Sequence, residues 1–130
     1  MRVTGERDLQ TLVAAMAPYL RSGAFVFTTA ERVPAGCAPL VTVREDEGVT
    51  MVLGRDEADR LGLAYDYVAA MITLRVHSSL QAVGLTAFVA GRLADAGMSC
   101  NVVAGFHHDH LFVPFERGDE AVALLTTRPA

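Results

Sequence analysis

The stretch Ala70-Met-Ile-Thr-Leu-Arg-Val76 runs directly into His77-Ser-Ser-Leu80, and from there into a helical pattern that lasts to Ala96. Ile72, Leu74 and Val76 alternate against Met71, Thr73 and Arg75, the period of two expected of a strand with one covered face. A strand that opens straight into a helix sets the direction of both and leaves the first helical N–H groups without backbone partners. Gly97 stops the helix, Met98–Ala104 and Leu111–Phe115 are expected to pair around the loop Gly105-Phe-His-His-Asp-His110, and a last helix covers Asp119–Thr127. The order is β-α-β-β-α, which is a βαββαβ unit without its final strand.

The first half supplies a possible source for that strand. Asp8 can cap a helix whose apolar side is Leu9, Leu12, Val13, Met16 and Leu20, with Pro18 weakening its last turn and Gly23 ending the segment. Phe25–Thr29 reads as a strand, residues 32–36 as a loop, and Pro39–Arg44 and Val49–Leu53 as a hairpin about the charged turn Glu45-Asp-Glu-Gly48. A short helix lies within Gly54–Gly62, and Tyr65-Asp-Tyr67 leads into the strand through Val76. This half reads α-β-β-β-α-β, so a strand is shared or exchanged between the halves. The central helix adds a second demand. Leu85, Phe88, Val89 and Leu93 widen its apolar surface beyond Leu80, Ala87, Gly91 and Ala94, and a helix apolar on nearly all sides needs cover from the other half or another subunit.

Composition narrows the functional classes. The 130 residues carry a net charge of -4, which gives no basis for phosphate neutralisation, so nucleic-acid binding is not expected. No apolar run approaches a membrane span and no signal-like segment opens the chain, so a cytoplasmic protein without membrane association is expected. Cys37 and Cys100 belong to no CxxC pair, which favours free thiols.

Ile72–Ala87 and Ser99–Pro114, together with Leu9–Tyr67 and its Thr42-Val-Arg-Glu-Asp-Glu-Gly48 turn, resemble a bacterial family of small tandem ACT-domain proteins of uncharacterised function. The resemblance covers almost the whole chain. It implies an α+β fold of two interdependent ferredoxin-like, ACT-like units at 1–67 and 68–130, the C-terminal one incomplete or strand-sharing. It also implies an association with amino-acid sensing. ACT regulatory domains commonly have a compact strand-to-helix loop of the Asp-x-x-Gly type near an effector site, and at the corresponding place this chain departs from the resemblance with His77-Ser-Ser-Leu-Gln-Ala-Val-Gly84.

The candidate ligand-binding residues are Ser78, Ser79, Gly84, Asn101, Val102 and Val103. Ser78 or Ser79 can cap the central helix, either as an ordinary cap or with the free N–H groups facing a carboxylate. Gly84 permits close approach, of a ligand, another chain or a packing neighbour. Asn101 stands in an apolar strand, where its amide can serve a ligand or a structural hydrogen bond. His107, His108, Asp109 and His110 have the donors of a metal site, but neighbours on one tight loop do not by themselves converge on a tetrahedral centre. A turn or interface role, or closure over a ligand, is the expected use, with no metal and no cofactor. No phosphate loop, dinucleotide glycine pattern or HExxH motif is present, and the serines and histidines form no recognisable nucleophilic set. The chain therefore reads as a non-enzymatic sensor that binds an amino acid and forms a homodimer. The alternatives are a ligand-free interaction module and, further off, a metal-dependent enzyme.

Overall fold

The computed structural model describes residues 9–77 and 83–126. Among these, all strands join one antiparallel sheet. In chain order they are β1 (Pro18–Leu20), β2 (Phe25–Ala30), β3 (Val41–Glu45), β4 (Gly48–Gly54), β5 (Val68–Leu74), β6 (Asn101–Ala104) and β7 (Asp109–Pro114). The helices are α1 (Leu9–Ala14), α2 (Arg55–Arg60), α3 (Leu85–Asp95) and α4 (Gly118–Thr126), with a 3-10 turn over Phe115–Arg117.

The sheet order is β3-β4-β2-β5-β7-β6, and β1 also pairs with β5. Two ferredoxin-like units can be traced in it. The second runs β5-α3-β6-β7-α4, and the strand missing from its sequence is β1, with Pro18, Tyr19 and Leu20 opposite Leu74, Thr73 and Ile72. The first runs β2-β3-β4-α2-β5, and β5 closes it through Ala69 and Val68 opposite Phe25 and Val26. Strand β5 is therefore the last strand of one unit and the first of the next, which bears out the strand sharing expected above. Only one helix serves the first unit. The connection that would hold its other helix, residues 31–40, contains Pro34, Gly36 and Pro39, each hostile to a helix interior.

Pro18 explains a departure from the sequence reading. Leu20 was expected on the first helix, yet α1 ends at Ala14, Ala17 takes a positive φ of 43°, and Pro18 starts a strand. A proline with no N–H to donate is tolerated on an edge strand but not inside a helix. The expected Asp8 cap and the expected Leu80 start of the central helix lie outside the described residues; α3 begins at Leu85, after Gly84 in a left-handed conformation (φ 97°).

The alternation of the strands sorts side chains onto two faces. Ala70, Ile72 and Leu74 of β5, with Leu111 and Val113 of β7, point toward α1, α3 and α4 and join Leu12, Met16, Leu85, Val89 and Leu93 in the main core. Leu12 and Met16 come from the first sixteen residues, so the start of the chain is built into the core of the second unit. Helix α2 covers a smaller cluster, placing Ala58 against Val26, Met51 and Leu53. Helix α3 is less demanding than its sequence implied. Its large residues Leu85, Val89 and Leu93 fill one buried face, while Ala87, Gly91 and Ala94 are exposed.

The opposite face of the sheet has an aromatic core. Phe112 of β7 meets Phe27 and Phe25 of β2 edge-on, with ring centroids 5.4 and 6.3 Å apart. Strands β2 and β7 flank β5 and would lie roughly 10 Å apart by strand spacing, so the rings lean toward each other over β5. They can do so because β5 presents only the methyl group of Ala69 opposite Phe25. Phe112 and Ala69 are fully buried there without any helix above them.

We propose that the two units fold as one cooperative body. Residues 68–130 expressed alone would lack β1, Leu12, Met16, Phe25 and Phe27. That fragment is expected to bind hydrophobic dye and unfold without a sharp transition in denaturant, whereas the full chain unfolds in one. A sharply unfolding fragment would separate the units.

Candidate functional site

Strand β5 leaves the sheet at Arg75, Val76 and His77, and three other segments meet it there. The Arg75 N–H donates to the carbonyls of Met16 (3.1 Å) and Ala17 (3.3 Å), tying the exit to the corner between α1 and β1. The β6–β7 loop comes from the other side. His108 Nδ1–H donates to the Val76 carbonyl at 3.3 Å, and the His77 ring lies 5.4 Å from that of His107 and 6.3 Å from that of His108. The loop is narrow by construction: the Gly105 N–H donates to the His108 carbonyl at 2.9 Å. A Cβ at Gly105 would stand 2.8 Å from that same carbonyl oxygen, so glycine is the residue that fits the turn.

His110 stands apart from this group, on the helix-free face of the sheet. It lies opposite Thr73, whose hydroxyl is 3.0 Å from its Nδ1. Burial pushes its pKa below the ordinary histidine value, the nearby Arg21 and His108 push the same way, and Asp109 opposes them. Arg21 continues the β1 ladder through its N–H to the Met71 carbonyl, 2.8 Å. Tyr19, opposite Thr73, has the guanidinium of Arg75 4.4 Å and that of Arg21 5.6 Å from its ring centroid.

The residues singled out in the sequence thus fall into separate places. Ser78 and Ser79 lie outside the described residues. The space at Gly84 is taken by the chain itself, since a Cβ there would lie 3.1 Å from Leu9 Cδ2. Asn101 is exposed on the edge strand β6, opposite Phe112, rather than buried among apolar neighbours. Val103 shares that face, opposite His110, while Val102 alternates to the other side and packs on the main core. His107 and His108 reach the β5 exit. The sequence reading gave no role to His77, Arg75, Tyr19 or Arg21. Arg75 lies within the strand that was recognised and His77 just past it, but Tyr19 and Arg21 had been assigned to a helix and its end, where neither could face β5.

Among the described residues, no three His, Cys, Asp or Glu side chains are grouped so that they could hold a metal ion. The imidazoles at the β5 exit act as packing and hydrogen-bonding groups in this arrangement. A cavity of about 500 Å³ lies elsewhere, between α1, α3 and α4, lined by Leu9, Val13, Met16, Phe88 and Leu125 among others and, among the described residues, by no charged side chain.

Two ferredoxin-like units fused through one strand, with a strand-to-helix junction capped by a loop, define a tandem α+β module. The chain belongs to the ACT domain family, which matches residues 4–70 and again 67–127. ACT domains are typically regulatory modules that bind amino acids. A Vibrio cholerae protein of unknown function, described as a possible transport protein, is 41% identical, with 87% of this chain and 89% of that one covered and a TM-score of 0.79. An Agrobacterium tumefaciens protein has a TM-score of 0.70 at 20% identity, covering 83% and 84% of the two chains. The ligand-free regulatory subunit of aspartate kinase from Thermus thermophilus has a TM-score of 0.64 at 10% identity, covering 86% and 95%, a likeness of fold. No curated protein matches the chain.

His110 gives this region a pH signature. With its folded pKa lowered from the ordinary 6.5, its contribution to stability is fully present above that value and is lost as the pH falls through the lowered folded value. Replacing it by Gln keeps a polar partner for Thr73 and removes the titration. Denaturant midpoints of His110→Gln measured at about pH 7.5 and about pH 5 should therefore differ less than those of the wild type.

Proposed function

We propose that the protein is a non-enzymatic regulatory module that senses an amino acid at the exit of β5, beneath the β6–β7 loop. The observation that carries this reading is the seating of that loop on the strand-to-helix junction, through His108 on the Val76 carbonyl and His107 against His77. A loop seated on the strand exit through the His108 hydrogen bond and the imidazole contacts is placed to open and close over a ligand, which is what a sensor needs to convert binding into a change of shape. The membership of the ACT domain family supports an amino acid as the ligand class. Of the residues singled out in the sequence, Asn101 and Val103, which share the face of His110, are the proposed neighbours of the ligand on β6, and Ser78 and Ser79 are kept as candidates by their sequence position after His77.

A thermal-shift screen of the amino acids on the full chain, followed by calorimetry of any that raise the melting temperature, tests this reading. At least one is expected to bind saturably, and His108→Ala is expected to weaken it several-fold by releasing the loop while the fold stays intact. If no amino acid binds the correctly folded chain, the ligand-free interaction module becomes the better account.

The module acts in the cytoplasm as a homodimer in this reading. No helix among the described residues is long and apolar enough to cross a membrane. Support for pairing comes from the half of the sheet that no helix covers, where Val43 and Tyr19 are 48% and 41% exposed beside the aromatic cluster. Sedimentation velocity over a hundredfold concentration range should show a monomer–dimer transition, and a monomer throughout would remove the dimer.

A further inference from the structure

We infer that the amino acid sensed at the β5 exit is a dicarboxylic one, carrying a side-chain carboxylate. This rests on the sensing reading above and names the chemical class of its ligand. The strand register places Tyr19, Thr73 and His110 in one row across β1, β5 and β7, with Arg75 one step beyond on the same face and Arg21 one step below. Both arginines are exposed and are held by the face of Tyr19 rather than by an acid. Among the described residues neither is paired with a carboxylate.

The same register removes acids from this face. Within β1, β5, β6 and β7 the single acidic residue is Asp109, which lies opposite Ala104 and so alternates to the side away from His110. In a chain of net charge -4, a face with two guanidinium groups that no described carboxylate pairs, and with no acid directed to it from these four strands, is a local reversal of sign. His77, His107 and His108 border it at the exit itself and add imidazole donors.

A neutral amino acid brings one carboxylate and one ammonium, so its net charge gains nothing from an unpaired arginine. A cationic one is repelled. An amino acid with a second carboxylate can meet Arg75, whose planar guanidinium presents paired N–H donors in the geometry a carboxylate accepts. Arg21, 5.6 Å from the centroid of the same ring, raises the potential without needing to touch the ligand.

Calorimetry of the full chain with L-aspartate and L-glutamate, set against L-asparagine, L-glutamine and L-lysine, tests the inference. The acids and their amides match in size and shape, so the comparison isolates the charge. The acid of at least one pair is expected to bind about tenfold or more tightly than its amide, with the preference shrinking in high salt. Arg75→Gln should reduce that preference while leaving the unfolding midpoint near that of the wild type, because its side chain is exposed; Arg21→Gln should reduce it less. Amides that bind as well as the acids, or a preference untouched by Arg75→Gln, would overturn the dicarboxylic assignment and leave amino-acid sensing standing. Absence of binding by any of the five, in a chain that binds another amino acid, would also overturn it. Absence of binding by every amino acid overturns the sensing reading and this inference together.

Discussion

The meeting of Phe25, Phe27 and Phe112 over Ala69 is the contact on which the remaining architecture depends. Strand β5 serves both units only if the strands on its two sides stay paired with it, and the rings from β2 and β7 hold them there from the face that has no helix. On the opposite face the same strand offers Ala70, Ile72 and Leu74 to α1, α3 and α4. A strand buried on both faces and paired along both edges is the least free part of the chain, so whatever sits at its end is positioned by the whole fold.

That rigidity gives the β5 exit its functional interest. Arg75 is fixed from one side by the carbonyls of Met16 and Ala17, and Val76 receives His108 from the other. The exit is therefore a junction between a strand buried on both faces and a loop that reaches it through the His108 hydrogen bond and imidazole contacts.

The tandem arrangement also explains how so short a chain builds two ferredoxin-like sheets. Sharing β5 lets the two units be built from seven strands, with Pro18–Leu20 serving as the fourth strand of the second unit. The proline-containing connection of residues 31–40 replaces a helix in the first unit. There it is pinned to α2 by the Ala38 N–H donating to Glu57 Oε1 at 2.7 Å. The cost is that the second unit's core depends on the first half of the chain, with Leu12 and Met16 buried among its residues, while the first unit keeps the smaller cluster under α2.

Local pattern determined most of the elements. Alternation in Met71–Val76, the turn residues Glu45-Asp-Glu-Gly48 and the glycine after Asp95–Ala96 identify β5, the β3–β4 hairpin and the end of α3 from neighbours in sequence alone. The absence of a final strand in the second unit was equally legible, because it is a matter of order along the chain. Which segment fills the gap was not. Pro18-Tyr-Leu20 is three residues long and continues an apolar helical spacing, and only the open edge of β5 makes it a strand. The same holds for the site. His107 and His108 stand out in sequence, but their meeting with His77, and the sharing of Tyr19 by Arg21 and Arg75, join residues more than fifty positions apart in the case of the arginines and about thirty in the case of the histidines. Periodicity reports which side of an element a residue occupies; which other element lies on that side is decided by the pairing of strands, and that exists only in the folded sheet.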